Sequence, residues 1–161
     1  MIIDELDAGV IDMLSREPRI GVLECSRRLA VARGTVQARL DRLVARGVIQ
    51  GFGPGIDPAA IGYGVTAFVT LEIWQGGGQA VLEHLRAIPE VLEVHTITGS
   101  GDMLCRIVAR SNADLQRVID DVVGFPDITR TSSLIALSTP IPHRVLPLVR
   151  AAAGPAADQP R

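Results

Sequence analysis

Over the first fifty positions apolar residues recur at helical spacing. Leu6, Val10, Met13 and Leu14 fall on one face of a helix that Asp4 can cap, with Asp7 three residues on near the positive end of the helix dipole. Pro18, in "REPRI", disfavours helical geometry at Glu17 and ends the element. Val22, Cys25 and Leu29 predict a second helix from about Val22 to Ala30. Val36, Leu40 and Leu43 predict a third from about Gly34 to Arg46, stopped by Gly47. In "VIQGFGPGIDP", Gly51, Gly53, Gly55, Pro54 and Pro58 cannot sustain a helix; this stretch reads as a short strand, a wing or turn, and a linker.

Beyond the linker the period changes. "VTAFVTLEIW" (65–74) is strand-like, and "GGGQAVLEHLRAI" predicts a helix with Val81, Leu85 and Ile88 inward. "VLEVHTIT" and "MLCRIVAR" are strand-like runs separated only by "GSGD". Ser111 or Asn112 can cap a helix that turns Leu115, Val118, Ile119 and Val122 inward, and "ITRTSSLIALS" is a last strand. The order β-α-β-β-α-β is that of the ferredoxin-like sandwich. The expected class is therefore α+β. A helix-turn-helix domain with a wing spans 1–52, a linker 53–64, a ferredoxin-like domain 65–150 and a disordered tail 151–161.

Charge sharpens this division. The 161 residues carry a formal charge of −2 and contain no Lys, yet Arg27 to Arg46 hold six Arg (27, 28, 33, 39, 42 and 46) against the single acid Asp41. A basic stretch inside a mildly acidic protein points to a polyanion partner. Two short helices with arginines on the second suit a helix-turn-helix whose second helix enters a major groove. Thr35, Arg39, Arg42 and Arg46 form a stripe along it. Arg33, Gly34, Thr35, Gln37 and Ala38 lie in its first turns, where base edges are met, while Arg28, Arg42 and Arg46 are placed for phosphates. A solvated helix face with ordinary ion pairs is the competing reading.

"LDAGVIDMLSREPRIGVLECSRRLAVARGTVQARLDRLVARGVIQGFGPGIDP" resembles the DNA-binding domain of the Lrp/AsnC (leucine-responsive regulatory protein/asparagine regulator) family, whose pattern reaches "STV..R...L...GVI.GY....dP". The likeness runs over nearly the whole chain, because a βαββαβ effector domain follows the linker in that family too. Two departures fall in the turn: Ala32 stands where the family usually has a capping Ser, and Ala30 where it often has Gly. Arg39 matches a position the family keeps basic, where an intramolecular ion pair competes with a DNA contact.

The resemblance implies a transcription regulator that binds double-stranded DNA. It implies a dimer built through the sheet, assembly into tetramers or octamers, and an amino-acid effector bound between subunits. The family's Gly-Asp/Asn-x-Asp turn corresponds to Gly99-Ser100-Gly101-Asp102, with Ser in place of the first acid. Backbone amides there can receive an α-carboxylate and Asp102 an α-ammonium. A plain hairpin turn is the alternative. Thr129, Thr131 and Ser133, alternating along the last strand, are further candidates. Trp74 is expected at a subunit interface.

Other chemistry is weakly supported. A strand, not a helix, follows Gly-Ser-Gly, which argues against a nucleophile elbow, and a chain without Lys has no P-loop. His84, His95 and His143 share no metal spacing, Cys25 and Cys105 read as buried apolar groups, and neither a metal nor a cofactor is expected. The enzymatic alternative is a sirohaem decarboxylase of similar build, with His95 and Arg106 at its pocket. A DNA organiser without an effector is another. No apolar run approaches the ~18 residues of a membrane span, and the start is acidic, so the expected location is the cytoplasm, at the nucleoid.

Overall fold

The computed structural model describes residues 3–154. They form two compact units, one made of residues up to Pro54 together with those from Ile141, the other of Gly55–Pro140.

In the first unit α1 spans Glu5–Arg16 and begins with a capping box: the Asp4 carboxylate accepts from the Asp7 amide, and the Asp7 carboxylate accepts from the Asp4 amide. Helices α2 (Val22–Arg28) and α3 (Arg33–Ala45) follow. Val10, Cys25, Val36 and Leu43 are buried at their junction, with Ile11, Leu14, Leu29 and Ile49 packed around them. Gly47 takes the left-handed conformation after α3, as its place past the helix end predicts. Two differences from the sequence reading appear here. No strand forms between Ile49 and Asp57. Leu146–Ala153, of which 151–153 fall in the expected tail, form helix α6 packed along α1; the Nε of Arg150 donates to Asp12 at 3.1 Å. Residues 155–161 of that tail lie outside the described residues.

A buried ion cluster joins α1 to α3. The Asp7 side chain is fully buried, and both its oxygens accept from one Nη of Arg42 at 2.8 Å. Arg39 bridges Asp7, at 3.2 Å, and Asp4. The Asp7 amide and Arg39 hold the Asp4 carboxyl below its usual value.

The second unit contains β1 (Val65–Ile73), α4 (Gly78–Arg86), β2 (Val91–Thr96), β3 (Met103–Ala109), α5 (Asn112–Val123) and β4 (Ile128–Ala136), the predicted βαββαβ order. All pairings are antiparallel in the order β2-β3-β1-β4. Ser111 caps α5 by accepting from the Asp114 amide. Ala67, Val69 and Leu71 of β1 meet Val81 and Leu85 of α4 and Leu115, Val118 and Val122 of α5 in one core. Alternation then turns Phe68, Thr70 and Glu72 to the opposite, helix-free face, where register pairs them with Leu134, Ser132 and Arg130. Cys25 and Cys105 are buried free thiols, and burial pushes the Cys105 thiol up to about 11.

Two predictions come from the helical unit. Removing one partner of a buried ion pair costs ~3–5 kcal/mol; because Arg39 remains beside Asp7, Arg42→Ala is expected to lower stability to urea by about 2–3 kcal/mol. A loss within the ~0–1 kcal/mol of an exposed pair would show that Arg39 alone satisfies the carboxylate. Ala30, between α2 and α3, has φ of 53°. A left-handed residue with a Cβ costs ~1–2 kcal/mol and glycine entropy returns part of it. Ala30→Gly is therefore expected to raise stability to urea, by up to about 1 kcal/mol.

Candidate functional site

The basic stretch resolves into two classes of arginine. Arg39 and Arg42 turn toward α1 and are held by Asp4 and Asp7. Arg28 is held by Glu17 at 2.5 Å and by Glu24 at 2.9 Å, which raise its already high pKa. Arg28 and Arg42, which their spacing places for phosphates, are thus both ion-paired within the protein, to acids from outside the basic stretch. Arg39 is likewise ion-paired, to Asp4 and Asp7. Arg33 and Arg46, at the two ends of α3, have no ion partner among the described residues.

Around Arg33 the surface suits a nucleic-acid backbone. Helix α3 starts at Arg33, one residue before the predicted start, and its N-cap Ala32 supplies no side-chain hydrogen bond. The Arg33 and Gly34 amides are therefore left for an external acceptor, while the Thr35 amide donates to the Ala32 carbonyl at 3.0 Å. Arg33, Gly34, Thr35, Gln37 and Ala38 are all exposed. Gln37 donates to Asp41 at 2.8 Å, which leaves its carbonyl oxygen free.

In the second unit the turn Gly99–Asp102 folds over the end of β1. Gly99 has φ of 110°, and a Cβ on Gly101 would collide with Thr70 Cγ2 and lie 3.2 Å from the Leu71 carbonyl oxygen. Both glycines are set by this fold. The Asp102 amide donates to the Leu71 carbonyl, and the Asp102 carboxylate accepts from the Ile73 amide, each at 2.8 Å. A register shift between Glu72 and Ile73 breaks the β1–β4 ladder at this point.

Two cavities flank the turn. One, of about 430 Å³, is bordered by Glu72, Ile73, Gly99–Asp102 and Thr129. The other, of about 350 Å³, is bordered by Thr70, Glu72, Ser100, Arg130, Thr131 and Ser132, with Leu134 at its end. The four turn residues border the first cavity and Thr131 the second, with Ser100 and Glu72 common to both. Ser133 does not join them: it pairs with the core residue Val69 and borders neither cavity. Thr70, Glu72, Arg130 and Ser132, which the sequence does not single out, border these cavities as well. The signal for them is the alternation of β1, whose buried Ala67, Val69 and Leu71 oppose Ile135, Ser133 and Thr131.

Remaining candidates occupy other places. His95 and Arg106 both reach Glu93, at 3.5 and 3.0 Å, on the helix-free face and border neither cavity. Trp74 is 65% exposed just past β1. Among the described residues no cluster of His, Cys, Asp and Glu could hold a metal ion, and no helix is long and apolar enough to cross a membrane.

Known proteins share both units. Residues 3–50 match the winged helix-turn-helix DNA-binding family and residues 66–146 the Lrp/AsnC ligand binding domain. The HTH-type transcriptional regulator FL11 of Pyrococcus horikoshii is 31% identical over 137 residues, covering 85% of this chain and 91% of that protein. The structure of AsnC from E. coli has a TM-score of 0.84 and 27% identity over 91% of this chain and all of that one. The feast or famine regulatory protein from M. tuberculosis, in complex with L-methionine, has a TM-score of 0.76 and 26% identity over 88% of this chain and 97% of that one. With a DNA-binding helix-turn-helix and a ligand-binding domain in this order, the chain belongs to the Lrp/AsnC family of transcriptional regulators.

Proposed function

We propose that the protein binds double-stranded DNA as a homo-oligomer, at the nucleoid, and that a free amino acid bound beside the glycine turn biases its DNA affinity or assembly. It acts in this reading as a regulator and not as a catalyst. The observation that carries the DNA half is the division of the arginines. Those facing α1 are neutralised, while Arg33 and Arg46 remain unpaired at the ends of an exposed helix whose first amides are uncapped. Base reading falls to Thr35, Gln37 and Ala38 with Arg33, and Gly34 permits close approach of the backbone.

The ligand half rests on the two cavities around Gly99, Ser100, Gly101, Asp102 and Thr131. L-methionine in the M. tuberculosis relative supports an amino acid as the ligand class. A second copy suits the helix-free sheet face, where Phe68 and Leu134 stand opposite each other and are 38% and 69% exposed. A dimer presents two α3 helices to half-sites about one helical turn apart, or a multiple of that. The ligand shifts this system only as far as it binds one arrangement better than another.

DNA binding measured across a salt series tests the first half. Each phosphate contact contributes about 0.9 to the slope of log K against log salt. Arg33→Ala and Arg46→Ala are each expected to flatten that slope by about 1, whereas Arg42→Ala weakens binding only through the stability of the unit. Unchanged slopes for Arg33→Ala and Arg46→Ala would remove both from the interface. Equal affinity for all sequences would instead favour a DNA-organising role. For the second half, Gly101→Ala is expected to cost about 1–3 kcal/mol of stability from overpacking against Thr70 and to abolish any response to amino acids. An intact response would place the ligand away from the turn.

A further inference from the structure

The charges that meet the ligand are open to assignment, because one oxygen of Asp102 is taken up in holding the turn. Its Oδ2 accepts from the Ile73 amide and its own amide is bonded to Leu71, so it fastens the turn to β1. Glu72 and Arg130 are engaged far less. They stand directly opposite one another on β1 and β4, where the register shift begins. Glu72 Oε1 and Arg130 Nη1 are 3.8 Å apart, beyond hydrogen-bond length, and neither has another ion partner among the described residues. Glu72 and Ser100 border both cavities, and Arg130 borders one. Besides Asp102, the site therefore holds one loosely paired acid and base, bordered by Thr70, Ser100, Thr131 and Ser132.

We propose that Glu72 and Arg130, with Asp102 only positioning the turn, grip the two charged ends of a zwitterionic α-amino acid. Arg130 receives the α-carboxylate in its planar fork and Glu72 accepts from the α-ammonium. The ligand inserts between them and replaces one long ion pair by two charge-assisted hydrogen bonds. This inference rests on the amino-acid reading above. It adds a requirement: the ligand must carry both charges, so an amino acid amide or an N-acetyl amino acid is rejected at one end.

The test uses the full chain. Each of the twenty common L-amino acids, at millimolar concentration, is screened for a rise in thermal midpoint, since a ligand of the native state stabilises it by mass action. The strongest stabiliser, its amide and its N-acetyl derivative are then titrated calorimetrically into wild type, Glu72→Gln, Arg130→Gln, Arg130→Lys and Asp102→Asn. Wild type is expected to bind the free amino acid about 10-fold or more tightly than either derivative. Arg130→Gln should bind more weakly and no longer distinguish acid from amide, and Arg130→Lys should regain part of that distinction. Glu72→Gln should no longer reject the N-acetyl form. The ligand-free midpoints of the variants, measured alongside, separate loss of the ligand from loss of the fold or of the second copy on this face. Wild-type affinity and discrimination in Glu72→Gln and Arg130→Gln overturn the inference; if Asp102→Asn alone loses binding, the amino-acid reading survives without it. Should no amino acid stabilise wild type, both fall.

Discussion

The buried carboxylate of Asp7 is the constraint on which the DNA-binding unit depends. A carboxylate taken out of water is penalised by several kcal/mol unless positive groups surround it. Here those groups are the start of α1, whose dipole favours an acid, and two guanidinium groups from α3, Arg42 at 2.8 Å and Arg39 at 3.2 Å. These bonds form only when α3 lies across α1 in one register. The same arrangement buries Val36 and Leu43 against Val10. Charge pairing and apolar packing thus fix α3 together, and the direction of Arg33 and Arg46 follows from that. One helix face supplies structure and the other is left to function.

A comparable division governs the ligand-binding unit. Its core is built from the odd-numbered residues of β1 against α4 and α5, and the helix-free face carries the even-numbered ones. The register shift after Glu72 frees the Ile73 amide, which Asp102 takes up, and that bond holds the glycine turn down on β1. Gly101 is required because Thr70 and the Leu71 carbonyl lie directly beneath it. The turn is therefore shaped by close packing, and its neighbours on the sheet, Glu72 and Arg130, are left with charge to spare for a ligand.

What was legible in the sequence was local. Asp4 and Ser111 cap the helices they precede, Gly47 ends α3, and the order of periodic segments maps onto βαββαβ because each pattern spans only ten or so residues. The partners of the arginines were not legible. Arg39 and Arg42 meet acids more than thirty positions earlier in the chain, so counting charges within the basic stretch overstated its excess. The facing of β4 was not legible for a related reason. That strand is polar on both faces, and only the register, which sets Arg130 and Ser132 opposite Glu72 and Thr70, shows which of its residues share the helix-free face with them. Helix α6 escaped because its apolar residues lie in a Pro- and Ala-rich segment, and its packing surface is on α1 at the far end of the sequence.

Binding of DNA and binding of an amino acid are linked in this account through one set of states that both ligands bias. Linkage then requires that the amino acid change the affinity for DNA by the same factor as DNA changes the affinity for the amino acid. The most direct test is fluorescence anisotropy of labelled operator DNA titrated with the full chain, without and with the amino acid that stabilises it most. A shift of several-fold in the apparent Kd, matched by the reciprocal shift in amino-acid affinity when DNA is saturating, is the predicted result. Superimposable isotherms at a concentration where the amino acid is fully bound would contradict it.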